Sequence, residues 1–342
     1  YHMNLRQAFG IDMGTGTVKI FDRSSNRIIK EMNMAAVREP DTLFAVGNKA
    51  YELFEKNPND IRIIEPMQNG RIQDVVMMEA LLHTLLKKCG SYVGIMPVMY
   101  FSVPLDMTGL ERRAYSTIAQ KGRFRNSTVY FVEKPIADAL AIGIPVQRAQ
   151  GVMVVNIGEQ GTEISVLSRG SIILSRLIGI GGQDFNSSII SEVRKKNNLT
   201  ISRRTAQRLK FTLPDLQDEK WEGCRVVGID TNTGLPRDGI VSSRTVTASV
   251  ENVLKQIGGE ISHVLERIPT QTQAAIRDEG IFLSGGSTRI PGANSFLKAH
   301  LDYPVATSRY YEYGTVTGLK RIIDHPELRR FAMLSTKRKP IR

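Results

Sequence analysis

Two glycine-rich turns carry the chemistry this chain offers. The first reads Gly10-Ile11-Asp12-Met13-Gly14-Thr15-Gly16-Thr17. The second reads Val154-Val155-Asn156-Ile157-Gly158-Glu159-Gln160-Gly161-Thr162-Glu163. Each follows an apolar run and enters another strand, so each reads as strand, tight turn, strand. Small residues at such a bend let backbone N–H groups close on a phosphate. Two such hairpins facing each other would clamp a nucleotide, and an acidic residue at the base of each would hold a metal. Asp12 supplies that acid in the first hairpin; the second has Asn156 in its place.

The elements that must position these turns follow a repeated order. In the first half, hydrophobic periodicity predicts strand–turn–strand over 9–21, a turn and short helix over 45–54 and a helix over 75–88. A buried strand over 98–103, a charged helix over 110–120, a strand over 129–132 and a helix over 136–142 follow, the last opened by Pro135. The second half repeats the outline. A hairpin begins at Val152, with a strand over 172–178 and helices over 185–195 and 202–211. Short strands near 224–229 and 240–241 precede a long helix over 246–267. A strand over 280–283, the turn Ser284-Gly285-Gly286-Ser287, and helices over 293–299 and 315–323 complete it. Two copies of a hairpin-plus-helix unit suggest two α/β lobes with a ligand cleft between them.

Composition narrows the partners. A 342-residue chain with 41% hydrophobic residues is long enough for about two ordinary domains. With Cys89 and Cys224 as its only cysteines it has neither a disulfide framework nor a zinc site, which favours the reducing cytoplasm. No apolar run approaches the roughly 18 residues a membrane span needs. The net charge of +12 attracts polyanions such as nucleotide, anionic lipid or nucleic acid. The basic runs Arg194-Lys195-Lys196, Arg203-Arg204 and Lys337-Arg338-Lys339 are short and lack interleaved aromatics, so no dedicated nucleic-acid site is expected. The five histidines are scattered without metal-ligand spacing.

Taken in order, the motifs resemble the actin/heat-shock-chaperone/sugar-kinase superfamily, and most closely the bacterial actins of the MreB family. The likeness runs from about Phe9 to Ile323. It rests on Gly10 to Thr15, Asn69-Gly70-Arg71-Ile72-Gln73-Asp74, Val103-Pro104 with Glu111-Arg112-Arg113-Ala114, and Glu133-Lys134-Pro135-Ile136-Ala137-Asp138-Ala139. Arg204 to Lys210, Thr233-Gly234-Leu235-Pro236, and Ile281 to Pro291 complete it. The resemblance implies an actin-like two-lobed α/β fold of duplicated ribonuclease-H-like domains, with a nucleotide cleft and two small inserted subdomains. Domain I would comprise 3–150 plus 315–342, with its small subdomain at about 32–73. Domain II would comprise 151–314, with its small subdomain at about 183–245. It also implies ATP or ADP with Mg2+, the metal held by Asp12. Gly14, Thr15, Gly16, Thr17, Gly158, Gly161, Thr162, Gln207, Lys210, Gly285, Gly286 and Ser287 would contact the nucleotide.

The chain departs from that family where phosphates and water are handled. Asn156 replaces an aspartate, keeping shape and one oxygen but losing charge; this is either tolerated variation or weakened magnesium binding. Lys134 replaces the glutamate that polarises the attacking water, and a protonated lysine has three donors and no acceptor. Glu133, one position away, is the nearest substitute. Glu159 and Gln160 put side chains where backbone should meet phosphate, and Glu159 adds a repulsive charge. Gln207 replaces a ribose-contacting glutamate. The expected protein is a cytoskeletal actin of weakened nucleotide and magnesium affinity and impaired hydrolysis. It would assemble head to tail with itself or with a second bacterial actin. An active ATPase with Glu133 or Asp74 as base, and a non-polymerising regulator, are the alternatives. The apolar segment 91–97 resembles the family's membrane loop. Ile95 and Met96 would dip into the anionic inner face of the cell membrane, with Lys87 and Lys88 nearby; a loop folded onto its own domain is the other reading.

Overall fold

Two six-residue strands, Ala8–Met13 and Val152–Ile157, are buried along their whole length. A strand without polar alternation must be covered on both faces, so each lies inside a sheet flanked by helices. The computed structural model describes residues 7–40, 42–56, 58–89, 96–216 and 222–336. The chain falls into two compact units: residues 1–144 with 313–342, and 145–312.

In the first unit the elements run β1 (Ala8–Met13), β2 (Thr17–Asp22), β3 (Arg27–Met32), β4 (Ala35–Arg38), β5 (Thr42–Val46), α1 (Asn48–Lys56), β6 (Ile61–Ile64), β7 (Met67–Gln68) and β8 (Arg71–Ile72). They continue with α2 (Val75–Lys88), β9 (Val98–Val103), α3 (Gly109–Ala119), β10 (Thr128–Glu133) and α4 (Lys134–Ile142). In the second unit come β11 (Val152–Ile157), β12 (Thr162–Ser168), β13 (Ser171–Ile178), α5 (Gly182–Asn197), β14 (Leu199–Thr200), α6 (Arg203–Thr212) and β15 (Gly223–Asp230). That unit closes with β16 (Pro236–Ser242), α7 (Ser243–Arg267), α8 (Thr270–Glu279), β17 (Ile281–Ser284), α9 (Ala293–Leu301) and β18 (Val305–Thr307). The chain then returns to the first unit with α10 (Gly314–Asp324) and β19 (Ala332–Leu334).

The two main sheets share one plan. The first has the order β19-β10-β9-β1-β2-β3 and the second β13-β12-β11-β17-β18. In each, a three-stranded antiparallel meander is extended by two parallel strands. β1 pairs parallel to β9, and β9 to β10; β11 pairs parallel to β17, and β17 to β18. The internal repeat read from the glycine turns is therefore a repeat of topology. Small sheets, β5-β4-β6 in the first unit and β14-β15-β16 in the second, are attached to these frames. Among the described residues no helix is long and apolar enough to cross a membrane.

Local signals place the helices. Asp74 accepts the Met77 amide at 2.9 Å to cap α2, and Thr108 with Glu111 forms a reciprocal capping box on α3. Ser202 and Ser242 cap α6 and α7 in the same manner. In the first unit, α10 packs on α4 through a glycine. A side chain at Gly318 would run into the Ala137 carbonyl. The buried Thr315 hydroxyl donates to Asp138 at 2.6 Å, and Arg321 donates to the Leu140 carbonyl at 2.8 Å across the same contact. By contrast, Gly259 in the middle of α7 has open space where its side chain would be. Gly318→Ala should therefore lower stability by about 1–3 kcal/mol through overpacking. Gly259→Ala should leave it unchanged or raise it by up to about 1 kcal/mol. Urea unfolding of the two variants beside the parent checks the pair; equal effects would contradict the packing described.

Candidate functional site

The first hairpin is built by cross-strand register. Its turn closes with the Gly14 amide donating to the Thr17 carbonyl at 3.0 Å, and a side chain at Gly14 would meet that same oxygen. A turn of this length sets Met13 opposite Val18 and Asp12 opposite Lys19. Residues directly opposite share a face of the sheet, so Lys19 must meet Asp12. Both are buried, and the Lys19 ammonium donates to Asp12 Oδ2 at 3.3 Å. On the other flank β9 presents Ser102, whose hydroxyl donates to Asp12 Oδ1 at 2.8 Å. Burial alone would raise the Asp12 carboxyl. The charges of Lys19 and Lys134 and the Ser102 bond outweigh it and hold the group below the ordinary aspartate value. Burial pulls Lys19 below the ordinary lysine value, against Asp12, with Lys134 and Lys30 adding to the downward pull.

The hairpin's backbone polarity is sorted. Asn33 donates through its side chain to the Gly14 carbonyl at 2.8 Å and through its amide to the Gly16 carbonyl at 3.0 Å. The Thr17 carbonyl is taken by Gly14, and the Thr15 hydroxyl accepts the Gly70 amide at 3.0 Å. The amides of Thr15 and Gly16 have no acceptor among the described residues. Engaged carbonyls and unengaged amides make a turn suited to an anion.

The second hairpin repeats the arrangement with different residues. Asn156 stands opposite Glu163 on β12 and beside Ser284 on β17, the positions of Lys19 and Ser102 in the first unit. Here the Ser284 hydroxyl is buried and makes no hydrogen bond. The loop is stapled to α5: the Gly182 and Gln183 amides donate to the Gly158 and Glu159 carbonyls, each at 2.8 Å. A side chain at Gly181 would come within 2.6 Å of the Gly161 nitrogen, so the glycine there lets the loop seat. The amides of Glu159 and Gly161 have no acceptor among the described residues. Thr162 is turned to structural work, donating to the Ile180 carbonyl at 2.7 Å.

Glu159 does not stand in the loop as a bare negative charge. It pairs with Arg203 at the start of α6 at 2.5 Å, which offsets the repulsion expected from sequence. Ser287, in the turn after β17, and Glu159 both border Gly182. Gly285 has a φ of 94° and lies against Asn156, while Gly286 follows it in the same turn. Lys210 of α6 is buried and donates to the Gly182 carbonyl at 3.2 Å. Gln207, one turn earlier on α6, is exposed.

The structure thus brings together Asp12, Gly14, Thr15, Gly16, Thr17 and Lys134 in the first unit. In the second it gathers Asn156, Gly158, Gly161, Thr162, Lys210, Gly285, Gly286 and Ser287. Glu133 ends β10 and forms the N-cap of α4 without a side-chain capping bond. Met96 is 42% exposed with a φ of 65°, whereas Ile95 lies outside the described residues. Sequence reasoning missed Lys19 and Ser102, although counting residues back from the turn places Lys19 opposite Asp12. It also missed Asn33 and the pairing role of Arg203.

These donors suit a phosphate-bearing group better than a divalent cation. Magnesium is held through carboxylate oxygens, directly or through water. Both Asp12 oxygens are engaged by an ammonium and a hydroxyl, and the matching position in the second hairpin is a neutral amide. Among the described residues no group of three or more His, Cys, Asp or Glu side chains is arranged to hold a metal. Asp12 is the carboxylate of the first hairpin that would hold the Mg2+ implied by the family resemblance, in a shell completed by water and phosphate oxygens.

Comparison with known proteins settles the class. The crystal structure of MreB5 of Spiroplasma citri bound to ADP superposes with a TM-score of 0.87 at 24% identity, covering 95% of this chain and 98% of that one. The MamK double helical filament superposes with a TM-score of 0.77 at 16% identity, covering 94% and 99%. The fold is actin-like, as the motifs implied. The family model described as MreB/Mbl protein matches residues 6–330. The cell shape-determining protein MreB of Escherichia coli (strain K12) is 30% identical over 307 residues, 87% of this chain and 88% of its own. The cell shape-determining protein Mbl of Bacillus subtilis (strain 168) is 30% identical over 300 residues, 86% and 89%. The chain belongs to the MreB/Mbl family.

Burial drags the Lys210 ammonium down to about 8, with Glu159 holding it up and Arg203 pressing it further down. A lysine depressed on folding weakens the fold where it must be charged. Its contribution is complete above the unfolded value of about 10.4 and is lost as pH falls through about 8. The stability of the parent relative to Lys210→Met should therefore rise between about pH 7.5 and 10, by about 2 kcal/mol. Urea midpoints at the two pH values read this; a pH-independent difference would contradict the burial of a titrating Lys210.

Proposed function

We propose that this protein is a cytoskeletal actin of cell-shape control that binds ATP or ADP, hydrolyses it slowly or not at all, and forms or modulates protofilaments at the inner face of the cell membrane. Membership of a family whose relatives are named cell shape-determining proteins supports the cytoskeletal role. The structural neighbours bound to ADP and to AMPPNP, together with the unengaged amides of both glycine turns, support the nucleotide. The filament among the neighbours supports head-to-tail assembly, with copies of itself or with a second bacterial actin. Such a heterologous contact does not close and yields open polymers.

The observation that carries impaired hydrolysis is the lysine at 134. A water attacking a phosphate must lose a proton to an acceptor, and an ammonium accepts none. Asp74 is occupied in capping α2, and Asp12 is held ionised but engaged by Lys19 and Ser102. Exposed Met96, with Ile95 before it, would give each subunit a weak apolar contact with an anionic bilayer, useful when many subunits act together.

Purified protein should release phosphate from ATP at least tenfold more slowly than the Lys134→Glu/Asn156→Asp double variant, an effect of the order expected for a general base. Parent-level release in the double variant would reject Lys134 as the cause. Sedimentation in the same samples reads assembly, and soluble protein under every nucleotide condition would reject the filament. Co-sedimentation with anionic liposomes should be lost in Ile95→Ser/Met96→Ser; unchanged binding would remove that segment from the membrane contact.

A further inference from the structure

The excess positive charge of this chain sits in two short stretches. Residues 112–125 carry Arg112, Arg113, Lys121, Arg123 and Arg125 and no Asp or Glu. Residues 329–342 carry Arg329, Arg330, Lys337, Arg338, Lys339 and Arg342, again without an acid. The whole chain has a net charge of +12, so elsewhere bases and acids nearly balance. The fold brings the described parts of these stretches together: β10, which follows the first, pairs with β19 in the second. A groove of about 540 Å3 runs between α3 with the residues just after it, from Arg112 to Lys121, and Ser335 and Thr336 at the end of β19. Residues 337–342 lie outside the described residues and are no part of this groove.

The cations of the groove are unequally committed. Arg112 stacks over the Phe131 ring at 5.2 Å, and Lys121 pairs with Glu79 at 2.8 Å on the surface. The Arg113 side chain is exposed and makes no hydrogen bond, ion pair or ring contact among the described residues. The exposed Thr117 side chain, one turn further along the same stripe, is likewise unengaged among them. No Asp or Glu lines the groove, and Asp106 and Glu111, the acids just before it in the chain, are taken by Arg71. The stripe from Arg112 to Lys121 is about 13 Å long, the reach of about four extended residues. A flat lipid surface would meet the rims of such a groove, and no aromatic side chain lines it to stack an unpaired base. An extended acidic chain suits both its shape and its charge, because carboxylates accept the forked donors of arginine. β19 is also the outermost strand of its sheet among the described residues, so its free backbone edge is open to an added strand. We propose that the groove between α3 and the end of β19 docks an extended acidic peptide segment of a protein partner, with Arg113 as its main anchor.

The test is fluorescence anisotropy of a labelled octaglutamate peptide titrated with the full chain at low salt, where such contacts are least screened. Saturable binding is expected, and an octaglutamine peptide should not bind. Arg113→Glu and Thr117→Glu each place an acid in the groove at an exposed position, and each should weaken binding by at least about tenfold. Lys255→Glu, at an exposed position of α7 in the second unit, makes the same change in net charge as Arg113→Glu and should leave binding within about twofold. Circular dichroism confirms that each variant is folded before titration. Absence of octaglutamate binding by the parent, or unchanged binding by Arg113→Glu, would overturn the proposal. Equal losses in Arg113→Glu and Lys255→Glu would reduce the effect to net charge and overturn the site. Duplex DNA and phosphatidylglycerol vesicles are titrated in parallel; tighter binding of either, with the same dependence on Arg113, would overturn the assignment to a peptide.

Discussion

The buried pair of Asp12 and Lys19 is the constraint on which the first unit's site depends. Taking both charges out of water is costly, and a mutual contact repays the cost only when remaining polar atoms are satisfied as well. Here Ser102 supplies the second bond to the carboxylate, so the pair pins three neighbouring strands, β9, β1 and β2, in one register. Slipping β2 by a single residue would turn Lys19 to the other face of the sheet and leave Asp12 buried without an opposite charge. The same register determines where the glycine turn opens, and therefore where its unengaged amides lie.

The second unit repeats the architecture with a different set of charges. At the positions of Asp12, Lys19 and Ser102 it carries Asn156, Glu163 and Ser284, and the serine hydroxyl is left without a bond. Its cations come instead from α6, where Arg203 answers Glu159 and buried Lys210 holds the first turn of α5. A duplicated fold has thus kept two phosphate-suited turns while distributing charge differently in each. Lys134, just after β10, adds a further positive charge felt by Asp12 and Lys19.

Much of the frame was legible in the sequence because it is local. The glycine turns, the helix over 75–88 and the long helix ending at Arg267 follow from small residues at bends and from apolar spacing. The short strands β4, β5 and β6 escaped because each is only four or five residues long, too short to show a period. Helix α8 escaped because only Ile276 along it is buried, leaving little periodicity to read. At the site, single residue types were visible but their partners were not. Glu159 read as a repulsive charge because Arg203 lies far away in sequence, and the Lys19 partner of Asp12 went unread because its pairing is set by the register of β1 and β2. Charge partners across sheets and between helices are set by tertiary register, which no local pattern displays.

The most direct measurement is a double-mutant cycle on Asp12 and Lys19, using Asp12→Asn, Lys19→Met and the combination, read as unfolding free energy in urea. A buried pair makes Lys19→Met alone costly, by about 3–5 kcal/mol, because it strands the carboxylate. The double variant should recover much of that loss, giving a coupling energy above about 2 kcal/mol. Additive losses, with coupling near zero, would show that the two charges do not depend on each other and would contradict the account.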